Sequence, residues 1–440
     1  MRYSELVHRL AYDETVNNVS PSVFPILQEH RPNPYILPNL QQLVWKVETA
    51  PALDRSKMFL NPALEGLVLE VGPHTNQIDA FIADVSSRLK LKYFSFISPT
   101  SLPNSFSELL LPQDTLERLI LEAPGALSPG VGRWIASLSR LRSFHIDLTG
   151  RSVIAVEGFF DEIHPRSGDS TPSSVGTTDS GVFSGEEVDF SDIRKAALRL
   201  TGDLGSKGSF GQLRHLNLSG DVSNIAVFLK HIPSPLTQLD LVIDDPPDKN
   251  DWQDLSSMLS DKFGQSLQSL RISATRFSDS LRPKGDDHLS LQHLGFLPLL
   301  YRLEIDLPES VLFTPEDITN LASACPNLEE LRLSPLARFA LSGSSPKLDL
   351  ESLAPLMTNC RRLHTMAVVI NARRGSSEVL SSQTASSDSL LRLHVGHSWI
   401  TDPLHVTILL SHLCPRLETL KWFHEKNRPC VLALNTTNIN

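Results

Sequence analysis

The sequence has little cysteine, no long apolar run and no excess of basic residues. Its 440 residues include 4 cysteines, too few for the disulfide framework of a small secreted domain. No run of 18 or more uninterrupted apolar residues occurs, which argues against a transmembrane helix. The start of the chain carries Glu5 and lacks the apolar segment of a signal peptide. We therefore expect a cytoplasmic or nuclear protein that does not bind a membrane.

Basic residues are in the minority, and the acidic ones are clustered. There are 40 Lys and Arg against 50 Asp and Glu, and the isoelectric point near 5.8 argues against a nucleic-acid partner. Nine acids and one arginine lie between Glu157 and Asp192, and no leucine occurs in 151–197. A segment so poor in apolar side chains cannot offset its ordering entropy. We predict an acidic, Ser/Gly-rich insertion at 151–208 that is disordered over about 160–190.

The insertion has two possible roles. We favour an uninvolved surface insertion, and the alternative is a regulatory segment whose negative charge lies against basic strand residues such as Arg271 or Arg332.

Leucine is abundant, with 71 copies, and its spacing is periodic. The pattern L-x-x-L-x-L, in which another apolar residue sometimes replaces leucine, recurs at spacings of 23 to 35 residues within each half of the chain. Its thirteen copies start at Leu40, Leu64, Leu91, Leu116, Leu141, Leu213, Leu236, Leu267, Leu300, Leu328, Leu363, Leu390 and Leu417. The gap of 72 residues after Leu141 contains the acidic insertion.

This pattern predicts an α/β leucine-rich-repeat solenoid. The last two apolar residues of each copy share one face of a short strand, and stacked strands bury that face together. We expect a right-handed horseshoe with parallel strands on the concave face and helices on the convex face. The predicted organisation is a helical cap or lead-in at 1–36, repeats at 37–150, the insertion at 151–208, repeats at 209–430 and a tail at 431–440.

Helical periodicity fills the intervals between the strands. Six stretches show it most clearly, and in one of them Thr314 precedes Pro315 as an N-cap precedes a first-turn proline. The predicted helices are 77–89, 223–232 with Ser223 as a possible cap, 251–263, 314–324, 350–358 and 402–413.

Residues that could carry chemistry show no catalytic pattern. Cys325, Cys360 and Cys414 each precede a repeat by three residues, which predicts buried packing positions near helix ends and not metal ligands. His394 and His397 form an H-x2-H pair, but no further ligand has zinc-site spacing, so ordinary surface histidines are the favoured interpretation. We predict no enzyme activity, no catalytic residue, no metal site and no cofactor.

Binding is then expected on the outward strand face. The central outward positions are Val44, Val68, Ser95, Ile120, His145, Asn217, Asp240, Arg271, Glu304, Arg332, Ala367, His394 and Lys421. Flanking positions add Arg142, Asp147, Arg302, Asp306, Glu329 and Arg392. Mixed charge suits a protein partner recognised by complementary ion pairs, although solvation alone also explains polar outward residues. The predicted partner-binding residues are His145, Asn217, Asp240, Arg271, Arg302, Glu304, Asp306, Arg332, His394 and Lys421.

The segments Cys325–Leu333 and Cys414–Leu420 resemble the cysteine-containing leucine-rich repeats of F-box proteins. The opening segments Tyr3–Leu10, Val19–Phe24 and Pro34–Leu40 are similar to the region that follows the F-box in a large F-box-like family of mushroom-forming fungi. The resemblance implies that the repeats hold the substrate of a cullin-type ubiquitin ligase.

The F-box itself, which opens with a motif like L-P-x-E-I-L, does not precede Tyr3. We expect binding to a Skp-type adaptor only if an F-box lies upstream. The alternative is an F-box-less scaffold, unrelated to ubiquitination, that binds a protein on its concave face.

Overall fold

The computed structural model describes the repeats and leaves out most of the acidic insertion. The described residues are 3–16, 19–30, 35–75, 77–163, 209–244, 249–274, 289–307, 312–337, 339, 345–372, 385–423 and 429–433. The predicted disorder from 164 to 190, the rest of the insertion to 208 and the tail from 434 onward therefore lie outside the described residues.

The chain divides into two compact units. The first comprises Met1–Asp147, Arg151–Leu213 and Val227–Ser234. The second comprises Leu148–Gly150, Arg214–Ala226 and Pro235–Asn440.

The first unit contains six parallel strands paired in chain order. They are β1 (Arg9–Asp13), β2 (Gln42–Thr49), β3 (Gly66–His74), β4 (Tyr93–Ile97), β5 (Arg118–Glu122) and β6 (Ser143–Asp147). The inward residues of β2 to β6 are in register and 0% exposed; they are Leu43, Leu67, Phe94, Leu119 and Phe144. Burying each such side chain contributes about 1.5–3 kcal/mol, so the repeat pattern directly stabilises the sheet.

Helices follow the strands of the first unit. They are α1 (Val23–Glu29), α2 (Ala50–Arg55), α3 (Ile78–Arg88), α4 (Phe106–Leu110), α5 (Pro129–Ser137) and α6 (Val153–Gly158), with 3-10 turns at Ser4–Leu6 and Ser56–Phe59. Aromatic rings join strand to helix: Phe96 of β4 lies 5.5 Å from Phe106 of α4, which lies 6.1 Å from Trp134 of α5. The helices thus cover the leucine-bearing face and leave the other face of the sheet open.

The second unit continues the same architecture with eight parallel strands, β7 (His215–Gly220), β8 (Gln238–Ile243), β9 (Ser269–Ala274), β10 (Arg302–Asp306), β11 (Glu330–Leu333), β12 (Thr365–Val368), β14 (Arg392–His394) and β16 (Thr419–Phe423). Strand β17 (Pro429–Ala433) pairs antiparallel with β16. Strands β13 (Asn371–Ala372) and β15 (Trp399–Ile400) form a separate two-stranded sheet. All thirteen copies of the sequence pattern coincide with a strand, which confirms the leucine-rich-repeat α/β fold.

The helices after β7 match the predicted stretches closely. They are α7 (Val222–Lys230), α8 (Lys249–Phe263), α9 (Pro315–Ala324), α10 (Ala354–Asn359) and α11 (Pro403–Leu413), with 3-10 turns at His293–Phe296 and Glu351–Leu353. Thr314 and Asp317 form a reciprocal capping box at the start of α9. Ser223 lies inside α7 and is not its cap, because the helix already begins at Val222.

The three cysteines that precede repeats are buried, as predicted. Cys325, Cys360 and Cys414 directly follow α9, α10 and α11 and are 0%, 0% and 3% exposed. The Cys360 Sγ lies 3.5 Å from the Cys325 carbonyl oxygen, so one repeat contacts the next through this position. Burial raises the pKa of the three thiols to about 12, about 11 and about 12, respectively.

Two segments differ from the predicted organisation. Residues 1–36, predicted as a helical lead-in, contain strand β1, where Leu10 and Tyr12 are in register with Leu43 and Trp45. The tail predicted from 431 includes the last residues of β17.

The start of the predicted insertion, 151–163, is folded. It contains α6 and the rings of Phe159 and Phe160, which pack 5.5 Å and 5.0 Å from the ring of Phe228. Gly132 of α5 leaves no room for a Cβ against the Phe159 carbonyl, so the two helices approach closely. The segment lacks leucine but buries phenylalanine, which explains the misplaced boundary.

Candidate functional site

In the second unit, the open face of the sheet, opposite the buried leucines, carries one central residue per strand. Backbone pairing places these residues in a single row across β7 to β16. The row consists of Asn217, Asp240, Arg271, Glu304, Arg332, Ala367, His394 and Lys421. Seven of these eight positions are predicted partner-binding residues, and the structure brings them together in the predicted order.

A second row lies two residues earlier on the same strands and faces the same side. Its members are His215, Gln238, Ser269, Arg302, Glu330, Thr365, Arg392 and Thr419. Neighbouring strands are about 4.8 Å apart, so residues of the two rows can pair both along and across strands.

Glu304 is the centre of an ion-pair network. Its side chain is 7% exposed, and Arg302 donates to Glu304 Oε1 from Nη2 at 2.6 Å and from Nε at 3.0 Å. Arg271 Nε lies 3.4 Å from the other oxygen, Oε2, and Arg302 Nε also lies 3.2 Å from Glu330 Oε2. The buried carboxylate is therefore neutralised by two arginines, which are themselves 57% and 43% exposed.

Asp240 has its own partners beside this network. His215 Nε2 lies 2.8 Å from Asp240 Oδ2, and Gln238 Nε2 donates to the same oxygen at 3.3 Å. Burial raises the pKa of the Asp240 carboxyl, but the hydrogen bond and charge of His215, the hydrogen bond from Gln238 and the charge of Arg271 together hold that pKa below its usual value. Asn217 differs, because its buried Oδ1 accepts no hydrogen bond from the described residues.

Asp306 lies at the carboxyl end of β10, two residues beyond Glu304. Burial raises the pKa of its carboxyl, the charge of Glu304 raises it further, and the nearby charge of Arg332 opposes both. Arg332 and Asp306 influence each other electrostatically without forming an ion pair.

The last strands carry a cluster of cations, Arg332, Arg392 and Lys421, which we call the basic end. None of the three forms an ion pair with any residue in the described ranges of the chain. His394 lies between Arg332 and Lys421 in the central row, two strands from the first and one from the second. Burial, and then the charges of Arg332 and Lys421, lower the pKa of His394 to about 4, so its ring is neutral at physiological pH.

The first unit holds the remaining predicted residue, His145. It continues a central row of Ala11, Val44, Val68, Ser95 and Ile120, which is mostly apolar. His145 Nδ1 lies 3.6 Å from Glu122 Oε1. Burial raises the pKa of Glu122, and the charges of Asp147 and Glu70 add to this effect.

A cavity of about 300 Å³ lies near the carboxyl ends of β1 to β4. Its lining includes Asp13, Glu48 and Glu70 around Lys46, whose Nζ lies 2.8 Å from Glu70 Oε2 and 3.8 Å from Asp13 Oδ2. None of the predicted partner-binding residues lines this cavity.

Two flanking positions are placed differently from the prediction. Arg142 and Glu329 precede β6 and β11, and Glu329 Oε1 pairs with Arg362 Nη2 in a turn at 2.5 Å. The partners His215 and Glu330 did not appear among the predicted residues. Like Arg302, each lies two residues before a central outward residue, so the alternation of side chains along a strand could have identified them.

The histidines do not gather into a metal site within the described ranges. His394 and His397 both contact the Phe423 ring, edge-on at 5.3 Å and stacked at 4.8 Å, respectively. His405 and His412 lie on α11. Among the residues described, no group of three or more His, Cys, Asp or Glu side chains is arranged to hold a metal ion. In the same part of the chain, no helix has both the length and the apolar character needed to cross a bilayer.

No protein-family model and no curated protein matches the sequence. Among solved structures, the yeast Rad7 and Elc1 complex contains a similar chain, with 15% identity, a TM-score of 0.36 and coverage of 81% of this chain and 75% of that chain. The leucine-rich-repeat ectodomain of the Arabidopsis thaliana receptor kinase GASSHO1/SCHENGEN3, in complex with CASPARIAN STRIP INTEGRITY FACTOR 2, has 13% identity and a TM-score of 0.24. That match covers 92% of this chain and 45% of the ectodomain chain, so the protein spans less than half of the length of that ectodomain.

Proposed function

We propose that the protein is a protein-interaction module whose second unit binds a partner on the open face of its sheet. The observation that carries this proposal is the continuous two-row surface of charged and polar side chains on β7 to β16, which helices leave uncovered. Repeat proteins commonly use such an extended sheet surface for binding.

The ion-pair network supplies a reason for specificity. Arg302 and Arg271 are held in place by Glu304, so their exposed parts are positioned before a partner arrives, and less side-chain entropy is lost on binding. Pre-positioned arginines beside acidic residues favour a partner with a complementary pattern of charges and disfavour one with the wrong pattern.

Our preferred biological role follows from the sequence resemblance. We propose that these repeats are the substrate-recognition region of an F-box-like protein linked to a cullin-type ubiquitin ligase, acting without catalysis of its own in the cytoplasm or nucleus. A Skp-type adaptor joins only if an F-box lies upstream. The second candidate is a scaffold, unrelated to ubiquitination, that uses the same face.

The test is comparative affinity purification with the variant Arg271→Gln/Glu330→Gln. This change leaves the net charge unaltered and removes two half-exposed members of the network. The control variant Arg416→Gln/Glu418→Gln makes the same charge changes at exposed positions just before β16.

We expect quantitative mass spectrometry to show proteins retained by the wild type and the control but lost from the first variant. An identical set for all three folded proteins, with folding checked by circular dichroism, would overturn the proposal. Cullin and adaptor subunits among the retained proteins would favour the ligase role, and their consistent absence would favour the scaffold.

A further inference from the structure

The cations of the basic end form no ion pair with the described residues, unlike the charged residues on the neighbouring strands of the open face. On β8 to β10, Asp240, Glu304 and Arg302 all have partners within hydrogen-bonding distance. On β11 to β16, Arg332 is half-buried and Arg392 and Lys421 are exposed, and no described acid pairs with any of them. These cations therefore have no ion-pair partner in the described part of the protein, although the charge of Arg332 acts on the nearby Asp306 carboxyl.

The surroundings of this cluster keep it positive and give it a defined floor. His394 adds no charge at neutral pH but contributes a ring that packs edge-on against Phe423. Ala367 is the smallest residue of the central row and lies between Arg332 and His394. Ala367 is itself only 2% exposed, so it adds no competing polar side chain to the surface between Arg332 and His394.

The spacing of the cations indicates the form of the ligand. Arg332 and Lys421 occupy the same row, three strand intervals apart, which is about 14 Å at 4.8 Å per interval. An extended peptide rises about 3.4 Å per residue and directs alternate side chains to one side. Side chains four residues apart are then separated by about 14 Å and face the same way.

We propose that the basic end binds an acidic segment of a partner protein in an extended conformation, with two carboxylates four residues apart meeting Arg332 and Lys421. Arg392, in the adjacent row, is placed to contact a further acid or a backbone carbonyl between them. This inference rests on the proposed function and names the partner's chemistry.

A peptide fits better than a nucleic acid because the cations are few and local. The chain has a formal net charge of −10; Glu304 and Asp306 lie on the strand beside Arg332, and Glu330 lies on its own strand. A long phosphate backbone extending past these acids is repelled, whereas a short acidic segment that runs from Arg332 toward Lys421 extends away from them.

The direct test is fluorescence anisotropy with labelled peptides of about twelve residues, rich in threonine to favour extended chains. One peptide carries two glutamates four residues apart, a second carries them adjacent, and a third carries glutamines at the first peptide's positions. A thymidine oligonucleotide of similar length is the polyanion probe. We expect the first peptide to bind most tightly and its affinity to fall as salt rises.

The triple variant Arg332→Glu/Arg392→Glu/Lys421→Glu should weaken binding of the first peptide at least tenfold, the combined effect of three exposed ion pairs. The control Lys249→Glu/Arg361→Glu/Arg416→Glu changes the net charge equally at exposed positions outside the open face and should change affinity less than twofold. Equal binding of all three peptides, equal losses in both variants, or tighter binding of the oligonucleotide would each overturn the proposal.

The outcomes also separate this inference from the proposed function. Partners lost with Arg271→Gln/Glu330→Gln but retained by the triple variant would preserve the open face as the binding site and refute the acidic-segment assignment. Partners that no open-face variant affects would refute both.

Discussion

Replacing Arg302 should destabilise the protein more than replacing Glu304, although the two residues form the same ion pair. Glu304 is the buried member, at 7% side-chain exposure, whereas Arg302 is 43% exposed. In Arg302→Gln, the carboxylate remains buried and keeps only the Arg271 Nε at 3.4 Å. In Glu304→Gln, both arginines can turn to water, and the new amide oxygen can still accept from Arg302.

The expected magnitudes follow from this asymmetry. A buried polar group left without its partner costs about 1–3 kcal/mol, and breaking a fully buried ion pair costs about 3–5 kcal/mol. Because water reaches Arg302, we expect about 2 kcal/mol for Arg302→Gln and about 1 kcal/mol for Glu304→Gln. The double variant no longer buries a charge, so it should also lose only about 1 kcal/mol and be more stable than Arg302→Gln alone.

The assay is equilibrium urea unfolding of the wild type, both single variants and the double variant. Long repeat arrays can unfold in stages, so hydrogen exchange of β9 to β11 supplies the local free energy of opening. Arg392→Gln is the control, because Arg392 lies in the same row without an ion pair and should change stability by less than about 0.5 kcal/mol. Equal losses for Arg302→Gln and Arg392→Gln, or no recovery in the double variant, would refute the reasoning.

The three buried cysteines, whose thiol pKa values are raised by burial to about 11 or about 12, should resist iodoacetamide at pH 8 in a Cys430→Ala background and react after denaturation in urea. Mass spectrometry counts the modified thiols, and rapid alkylation of the folded protein would contradict their burial. Burial, followed by nearby cations, lowers the pKa of His394 from 6.5 to about 4. As pH falls, the unfolded chain therefore binds a proton at His394 at a higher pH than the folded protein does. The wild type should therefore lose stability relative to His394→Gln as pH falls from 6.5 toward 4, with no such difference above pH 7, and parallel thermal-unfolding curves would contradict this. Thr314→Ala should cost about 1 kcal/mol through loss of the α9 cap, against almost nothing for the exposed Thr319→Ala, as measured by urea unfolding.

Sequence periodicity predicted the strands well because each repeat imposes the same physical demand. Leu270 and Ile272, for example, must share a face, and the strand period of two allows no other arrangement. The leucine pattern does not indicate strand β1, because its two inward residues are Leu10 and Tyr12 and the surrounding segment is mostly polar. The stretch 151–163 contains no leucine, so a leucine-based pattern places it in the insertion, whereas Phe159 and Phe160 provide the buried side chains there.

The sequence predicts the row of central outward residues, but it predicts the ion pairs around Glu304 less well. The position of each residue within its repeat is enough to place Arg271 beside Glu304, because adjacent repeats align their central residues. The side chain closest to Glu304 is Arg302, two residues away on the same strand. Which neighbouring acid an arginine pairs with depends on its side-chain conformation, which the repeat pattern does not specify. The depth of Glu304 also depends on the bulk of residues on both adjacent strands, which no single repeat encodes.

Charge content by itself therefore does not locate a binding surface on this sheet. Arg302 and Arg332 are both strand arginines on the open face, one strand apart, and sequence gives no reason to rank them. The structure separates them, because Arg302 is engaged by Glu304 and Glu330 while Arg332 pairs with no described acid. Releasing Arg302 for a partner would first break bonds to a buried carboxylate, whereas Arg332 gains a partner without losing one. Binding energy from new ion pairs is thus concentrated at the basic end, and the paired network beside it contributes shape, register and the rejection of mismatched charge.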